Sequence, residues 1–478
     1  VSSRPLHELG ALAAAGLMAD GQLTSGQLVE HLLQRIAERE PTLHALIAVH
    51  PLALDQARAS DDRRAAGLLL GPLDGVPVII KDNIECVGLP ATVGSLAMVG
   101  APAERDAELV TRLRAAGMVI LAAANLSEWA NFRGRHSSSG WSAVGGLTDN
   151  PWRSGCSAGG SSSGSGAALA ARYAPLAVGT ETDGSITCPA SLCGVVGLKP
   201  TVGSVPVDGV APIAASHDSP GPMGRTVADV RSLLAVLSGR RVAAEQDPDR
   251  RSRRRYVLGV PGAWMTGDPD TDGVFSRAVE SLRAAGLTVL EVPAARADDE
   301  SGRDEVTVLV HEMAEDLDAY LASRPGPGPK SIAAVVAFNA AHADEELAHY
   351  GQEYLEAAVV SGGRAAPEYA AACARTLAWA VDSVLTPAFA HGVDALISPA
   401  YGPAWRSVLD GGDSFTGGLV TSAPAISGWP ILTLPMGLVD GLPVGLSIVG
   451  PERGEDALLE IGEAVESALG WSQQPPRG

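Results

Sequence analysis

The 478-residue chain predicts an α/β fold, and three observations carry that expectation. Helix-forming and strand-forming stretches alternate along its first half, the pattern of a sheet covered by helices. Hydrophobic residues make up 46% of the sequence, enough to bury a large core as one big domain or two to three smaller ones. Neither an internal repeat nor an extended low-complexity tract interrupts the alternation.

The elements follow in order. In "LTSGQLVEHLLQRIAERE", Thr24 and Gln27 have capping-box spacing ahead of an apolar stripe of Leu28, Leu32, Leu33 and Ile36, so residues 1–70 read as helical scaffold. In "GPLDGVPVIIKDN", the run 76–80 between Gly- and Asp-containing turns predicts a buried strand with Lys81 at its end. "LVTRLRAAGMVILAAANLSEWA" predicts a helix, a stop at Gly117, an apolar strand and a loop. "AALAARYAPLAVGTETDG" predicts an Ala-rich helix from about Ala167 and a short strand near 176–179. After "TVADVRSLLAVLSGR" the composition shifts, so 71–238 reads as a core unit and 239–255 as a linker or loop before "YVLGVPGAW" restarts a strand. Within 256–478, residues from about 300 to 390 read as a helical insertion, and "VDALISPA" and "WPILTLPMG" return to strand character.

Charge narrows the partners. Lys and Arg total 35 against 55 Asp and Glu, a formal charge of −20 that repels polyanions, so nucleic acid is disfavoured. "RRSRRR" at 250–255 is the exception, read as a solvated linker in preference to a basic docking patch. No uncharged apolar run reaches the roughly 18 residues a membrane span needs. The start, "VSSRPLHELG", lacks a basic segment followed by an apolar one, which favours the cytoplasm. Val1 suggests a start further upstream, and export of a longer precursor stays open. Five cysteines (Cys86, Cys156, Cys188, Cys193, Cys373) without paired spacing fit reduced, buried thiols; neither zinc nor any other cofactor is expected.

The octet "GGSSSGSG" at 159–166 admits four readings. A flexible linker is the default for such composition, but a helix-forming run follows directly, placing the octet at a helix N-terminus. A phosphate loop needs Lys and Ser/Thr where Ser165 and Gly166 stand. Gly160 to Gly164 formally match a nucleophile elbow centred on Ser162, yet the preceding "DNPWRSGCSAG" is too polar for the buried strand that an elbow requires. The fourth reading draws on a second segment, "GTETDGSITCPASLCGVVGLKPT" at 179–201, which supplies Ser185 in a tight turn.

Together with Lys81, these segments resemble the amidase signature family, whose members hydrolyse amides with a Ser–cis-Ser–Lys triad. The 24-residue spacing of Ser161 and Ser185, the flanking "CGVVGLKPT" and "SPGPMGRTVADV", and the C-terminal "WPILTLPMGLVDGLPVGLSIVG" all carry the resemblance. Within the family the chain is most similar to bacterial peptide amidases, which remove the C-terminal carboxamide of peptides. The carriers are "NLSEWANFRG" (125–134), "SGWSAVGG" (139–146), "GTETDGSI" (179–186) and "FNAAHADEELAHYGQEYLEAA" (338–358).

The resemblance implies a single amidase signature domain over 1–478, with a central mixed β-sheet surrounded by α-helices. It also implies a relay in which Ser185 is the nucleophile, Ser161 passes the proton and Lys81 is the general base. An unperturbed lysine is neutral in only roughly one molecule in 2,500 at pH 7, a deficit of about 4.6 kcal/mol, so burial has to lower its pKa. A strand-end lysine is otherwise a solvated surface cation. Further implications are a cis peptide bond between Gly160 and Ser161, and an oxyanion site made of the backbone N–H groups of Thr182, Asp183, Gly184 and Ser185. Each such donor is worth roughly 100- to 1,000-fold in rate.

Two departures from the family pattern stand out. Asp183 replaces the commoner glycine, a form shared with peptide amidases, and its carboxylate is expected to turn away from the anion site. Ala122, Ala123 and Ala124 stand where Gly-Lys-Thr is common. Two other constellations compete with the triad. "SHDSP" at 216–220 invites a Ser185–His217–Asp218 arrangement, but adjacent side chains on an extended segment diverge. Cys188, as the thiol of a nitrilase-type Cys–Glu–Lys site, reads better as a small buried residue. Tyr401, Trp405, Phe415 and Trp429 fit either a substrate funnel or core packing, and no role is assigned to them.

The expected substrate is a peptide amide, with no obligate protein partner. The alternatives are a general aliphatic or aryl amidase, a glutaminase subunit of a tRNA-dependent amidotransferase, and a silent binding cleft that keeps its three residues unused.

Overall fold

The computed structural model describes residues 5–240 and 255–476. The expected linker at 239–255, and with it most of "RRSRRR", therefore lies largely outside the described residues. Short apolar runs between turns become strands β1 (Leu46–Val49), β2 (Pro77–Lys81), β3 (Val119–Ala124), β4 (Trp141–Ser142), β5 (Gly146–Leu147), β6 (Leu176–Glu181) and β7 (Val196–Lys199). β8 (Ser219–Gly224), β9 (Val257–Pro261), β10 (Thr288–Val292), β11 (Ala395–Pro399), β12 (Ile431–Val439) and β13 (Leu442–Val449) follow.

Eleven of these form one sheet, in the order β1-β3-β2-β6-β8-β7-β12-β13-β11-β9-β10, while β4 and β5 pair separately. The sheet is mixed: β3-β2-β6 and β11-β9-β10 run parallel, and the other neighbours are antiparallel. The pairing of β7 with β12 carries the sheet from residues 196–199 into the C-terminal part.

Both faces are covered, as a strand with apolar residues at every position requires. Along β2, Val78 and Ile80 enter a core packed by helices Glu108–Ala115, Val227–Ser238, Pro269–Ala284 and Glu455–Leu469. Ile79, pointing the other way, joins a core built with helices Ser25–Leu43 and Ser163–Ala170. The Thr24–Gln27 capping box forms, and the helix before Gly117 ends at Ala115.

The helical insertion takes shape as Asp299–Ser323, Ile332–Ala341, Glu353–Val360 and Pro367–Leu377. The first of these packs Leu309, Val310 and Met313 against Leu126, Trp129 and Phe132. That contact sets the insertion against the segment that follows β3. No helix among the described residues is long and apolar enough to cross a membrane.

Candidate active site

Lys81 ends β2 with no exposed surface, and its Nζ donates to Ser161 Oγ at 2.7 Å and to Thr180 Oγ1 at 2.8 Å. The Thr180 carbonyl is a third acceptor at 3.3 Å, and Asn83 Nδ2 donates to the same threonine hydroxyl at 3.0 Å. The acceptors around the amine are thus hydroxyls and a carbonyl. Burial pushes the Lys81 pKa down to about 7, against the opposing pull of the more distant Asp218 and Glu181 charges.

Ser161 follows a cis peptide bond from Gly160. Its carbonyl accepts from Ser127 N–H at 3.1 Å, and a Cβ on Gly160 would stand only 2.3 Å from Ser127 Oγ, so this position has room for glycine alone. The octet is therefore no linker; its last four residues already belong to helix Ser163–Ala170, which begins earlier than the sequence suggests. Ser162, centre of the elbow reading, is tied down: its hydroxyl donates to Thr180 O at 3.1 Å and accepts from Thr180 N–H at 3.2 Å.

Ser185 lies on loop 182–185, between β6 and helix Thr187–Cys193. The loop is braced against the Ser161 segment by a 3.0 Å bond from Ser162 N–H to the Ser185 carbonyl. Ser185 opens onto a cavity of about 440 Å³, along with Thr182, Asp183 and Gly184. Lys81 and Ser161 are thus fully buried and bonded to each other, and Ser185 stands on the cavity wall, joined to their segment through Ser162. Among the described residues, the four backbone N–H groups of 182–185 donate to no protein acceptor.

Sequence reasoning named Thr182 and Asp218 for other roles and did not foresee what holds this loop. Glu181 Oε2 accepts from the N–H groups of Ile186 at 2.6 Å and Thr187 at 2.8 Å, capping the helix that follows the serine. Thr182 Oγ1 donates to Asp218 Oδ1 at 2.6 Å, while Asp218 Oδ2 accepts from Ile213 and Ala214 N–H. Thr180 and Glu181 stood inside a quoted motif, and their capping and caging roles follow only from the three-dimensional turn.

The competing constellations do not assemble. His217 is buried with Nδ1 2.7 Å from Ser216 Oγ, burial lowers its pKa to about 4, and the Asp218 carboxylate is taken up by Thr182 and two backbone donors. Cys188 does line the cavity, but burial raises its thiol pKa and disfavours the thiolate. Of the four aromatics, Tyr401, Trp405 and Phe415 line the cavity, whereas Trp429 packs edge-on against Phe389. Ala122, Ala123 and Ala124 are buried in β3, between β1 and β2.

Asp183 keeps its carboxyl on the cavity wall, with Oδ2 accepting from Ser422 Oγ at 2.9 Å. Glu305, from the insertion, stands beside it; no motif in the sequence marks this glutamate. Burial first, then the neighbouring Asp183, hold the Glu305 carboxyl well above the usual carboxylate range. Among the described residues, the wall carries three carboxyl side chains, Asp183, Glu305 and Asp413, and no Lys, Arg or His.

The segments singled out at 125–134 and 338–358 meet in space. Arg133, fully buried, donates to Glu128 Oε1 at 2.7 Å and to the Tyr350 carbonyl at 3.0 Å, and lies 3.5 Å from Glu346 Oε2. Their specificity is that of a packed joint beside the cavity.

The family profile described as Amidase matches residues 27–459. The X-ray structure of native peptide amidase from Stenotrophomonas maltophilia is 39% identical, with a TM-score of 0.92 over 99% of this chain and 99% of that one. A glutamyl-tRNA(Gln) amidotransferase subunit of Symbiobacterium thermophilum is 34% identical over 96% of both chains. A probable amidase of Arabidopsis thaliana is 34% identical over 95% of this chain and 89% of its own. With a matched profile spanning most of its length and full-length relatives sharing its fold, the chain belongs to the amidase signature family, hydrolases acting on amide C–N bonds.

Proposed function

We propose that the chain hydrolyses the C-terminal carboxamide of peptide amides to the free acid and ammonia, with Ser185 as nucleophile, Ser161 as proton relay and Lys81 as general base. The observation that carries the catalytic part is the buried 2.7 Å contact of Lys81 with Ser161, one step behind a cavity-lining Ser185. At a pKa of about 7, roughly half the Lys81 amines are neutral at pH 7, which removes most of the deficit of an ordinary lysine.

The neutral amine takes the Ser161 proton as Ser161 Oγ takes that of Ser185, and Ser185 Oγ bonds to the amide carbon. The N–H groups of 182–185 receive the developing oxyanion. As the C–N bond breaks, the proton returns along the same path to the leaving ammonia. Water then repeats the cycle on the acyl-enzyme, releasing the acid and restoring Ser185.

The cavity wall supports the choice of substrate. A peptide amide presents no carboxylate, whereas free glutamine brings one along with its ammonium, and the described wall has acids to meet the ammonium but no cation to receive the carboxylate. The product acid meets the same wall, which favours its release. The amidotransferase relatives keep a second reading in play, that of a glutaminase subunit working within a complex.

Incubating the purified chain with an amidated peptide decides between them. The expected result is conversion of the terminal carboxamide to carboxylate with stoichiometric ammonia, by a stable monomer and not by Ser185→Ala. Hydrolysis of free glutamine in preference to the peptide amide would support the subunit reading; hydrolysis of simple aryl or aliphatic amides alone would support a general amidase.

A further inference from the structure

We propose that Asp183 and Glu305 form a cation-recognition pair that makes the enzyme favour peptide amides whose C-terminal residue carries an ammonium or guanidinium group. This inference rests on the peptide-amide reading and names the substrate class within it.

Three separate elements converge to build the pair. Asp183 comes from the nucleophile loop, Glu305 from helix Asp299–Ser323, and Ser422 at the start of helix Ser422–Ser427 fixes one Asp183 oxygen at 2.9 Å. Both carboxyls line the cavity that Ser185 opens onto. One oxygen of each, Asp183 Oδ1 and Glu305 Oε1, is enclosed and accepts from no donor among the described residues, so that only a proton shared by the two carboxyls can bond them.

Enclosed carboxyl oxygens without donors are costly, and two side by side more so. The described residues of the wall supply no counter-charge. Lys199, whose field reaches Asp183, is fully buried and donates to the Pro200 carbonyl at 3.2 Å. Without substrate, a proton on Glu305 relieves the repulsion between the two acids. A substrate cation relieves it equally well, sending that proton to solvent, and adds charge-assisted hydrogen bonds to both orphaned oxygens. Tyr401 and Phe415 line the same cavity, and aromatic rings near a cation add to its attraction.

A bland alternative is that the pair only braces the insertion helix to the loop through the shared proton. A brace confers no selectivity for substrate charge, so matched substrates separate the two readings. The probes are one acylated peptide ending in lysinamide and the same peptide ending in norleucinamide, with kcat/KM measured on wild type and on Glu305→Gln.

The expected wild-type preference for lysinamide is about tenfold, the factor set by one charge-assisted hydrogen bond, and it falls to near parity in the variant. Parity in the wild type, or a preference unchanged by the substitution, overturns the proposal. If Glu305→Gln fails to fold by circular dichroism, the wild-type ratio alone decides in the same sense. Failure of the underlying reading looks different: neither peptide then releases ammonia.

Discussion

Lys81 Nζ sits 2.7 Å from Ser161 Oγ, and neither side chain exposes any surface to solvent. An amine so placed works as a base only when neutral, and burial takes its pKa down to about 7. kcat/KM should therefore rise as pH increases through about 7 and then level off. Lys81→Ala should lower it about 100- to 10,000-fold and remove that rising limb. A pH–rate profile of the variant that kept the limb would assign it to another group.

The same lysine weakens the fold that holds it. Its folded pKa of about 7 lies below the ordinary 10.5, so the unfolded chain binds the proton first as pH falls across that interval. The penalty on the folded state grows from about pH 10.5 down to about 7 and is constant below. Lys81→Met should thus lower turnover as Lys81→Ala does and yet raise stability by about 1–4 kcal/mol at pH 7. Denaturant unfolding at pH 7 and at pH 10 checks both the sign and the narrowing of the difference.

Ser185 and Ser162 should behave oppositely, although the Ser162 N–H is bonded to the Ser185 carbonyl. Ser185 faces the cavity, and its alanine variant should lose turnover by about 10⁴- to 10⁶-fold while its stability shifts by less than about 1 kcal/mol. Ser162 is spent on two bonds to the Thr180 backbone, so Ser162→Ala should cost about 1–2 kcal/mol of stability and keep most activity. Ammonia-release kinetics paired with thermal melts separate the two.

Glu181 is a positioning residue. Its carboxylate gathers the N–H groups of Ile186 and Thr187 and so fixes the end of the 182–185 turn, whose N–H groups are the proposed oxyanion donors. Glu181→Ala should lower kcat about tenfold or more with KM little changed, because a misplaced oxyanion site acts on the transition state. Glu181→Gln keeps one acceptor oxygen and should recover part of kcat. A change confined to stability would reduce Glu181 to a cap.

How far the sequence foretold this site depends on how local each signal was. Lys81, Ser161 and Ser185 each sit in a short motif, and the apolar cores of β2, β3 and the first half of β6 stand out in the sequence, so their residues announced themselves. β8 did not, since "SPGPMG" holds two prolines and two glycines, which depress strand propensity. It pairs nonetheless, and Gly221 has its own reason, a Cβ there falling 2.0 Å from the Leu198 carbonyl of neighbouring β7. Glu305 was illegible for another reason. Its partner Asp183 lies 122 positions earlier (305 − 183), and only the packing of the insertion onto Leu126, Trp129 and Phe132 brings the two together. Asp218 was legible as a residue, but not as the anchor of Thr182.

The Arg133 joint gives the last prediction, about how the insertion is held over the site. Arg133 is fully buried, bonded to Glu128 at 2.7 Å, near Glu346 at 3.5 Å, and its guanidinium lies 4.1 Å from the centre of the Tyr350 ring. Replacing it with Met strands two buried acids facing one another, and the loss should reach about 3–5 kcal/mol. Because Ala130, Asn131 and Phe132 precede Arg133 and line the cavity, activity should fall at temperatures where the fold still holds. Burial and Glu346 already hold the Glu128 carboxyl well above the usual carboxylate range against the pull of Arg133, so adding Glu128→Gln removes one of the two stranded acids and the double variant should recover part of the stability lost by Arg133→Met alone. Denaturant titrations of the two variants measure that coupling. Strictly additive losses would mean that Arg133 acts by filling space and not by neutralising the two glutamates.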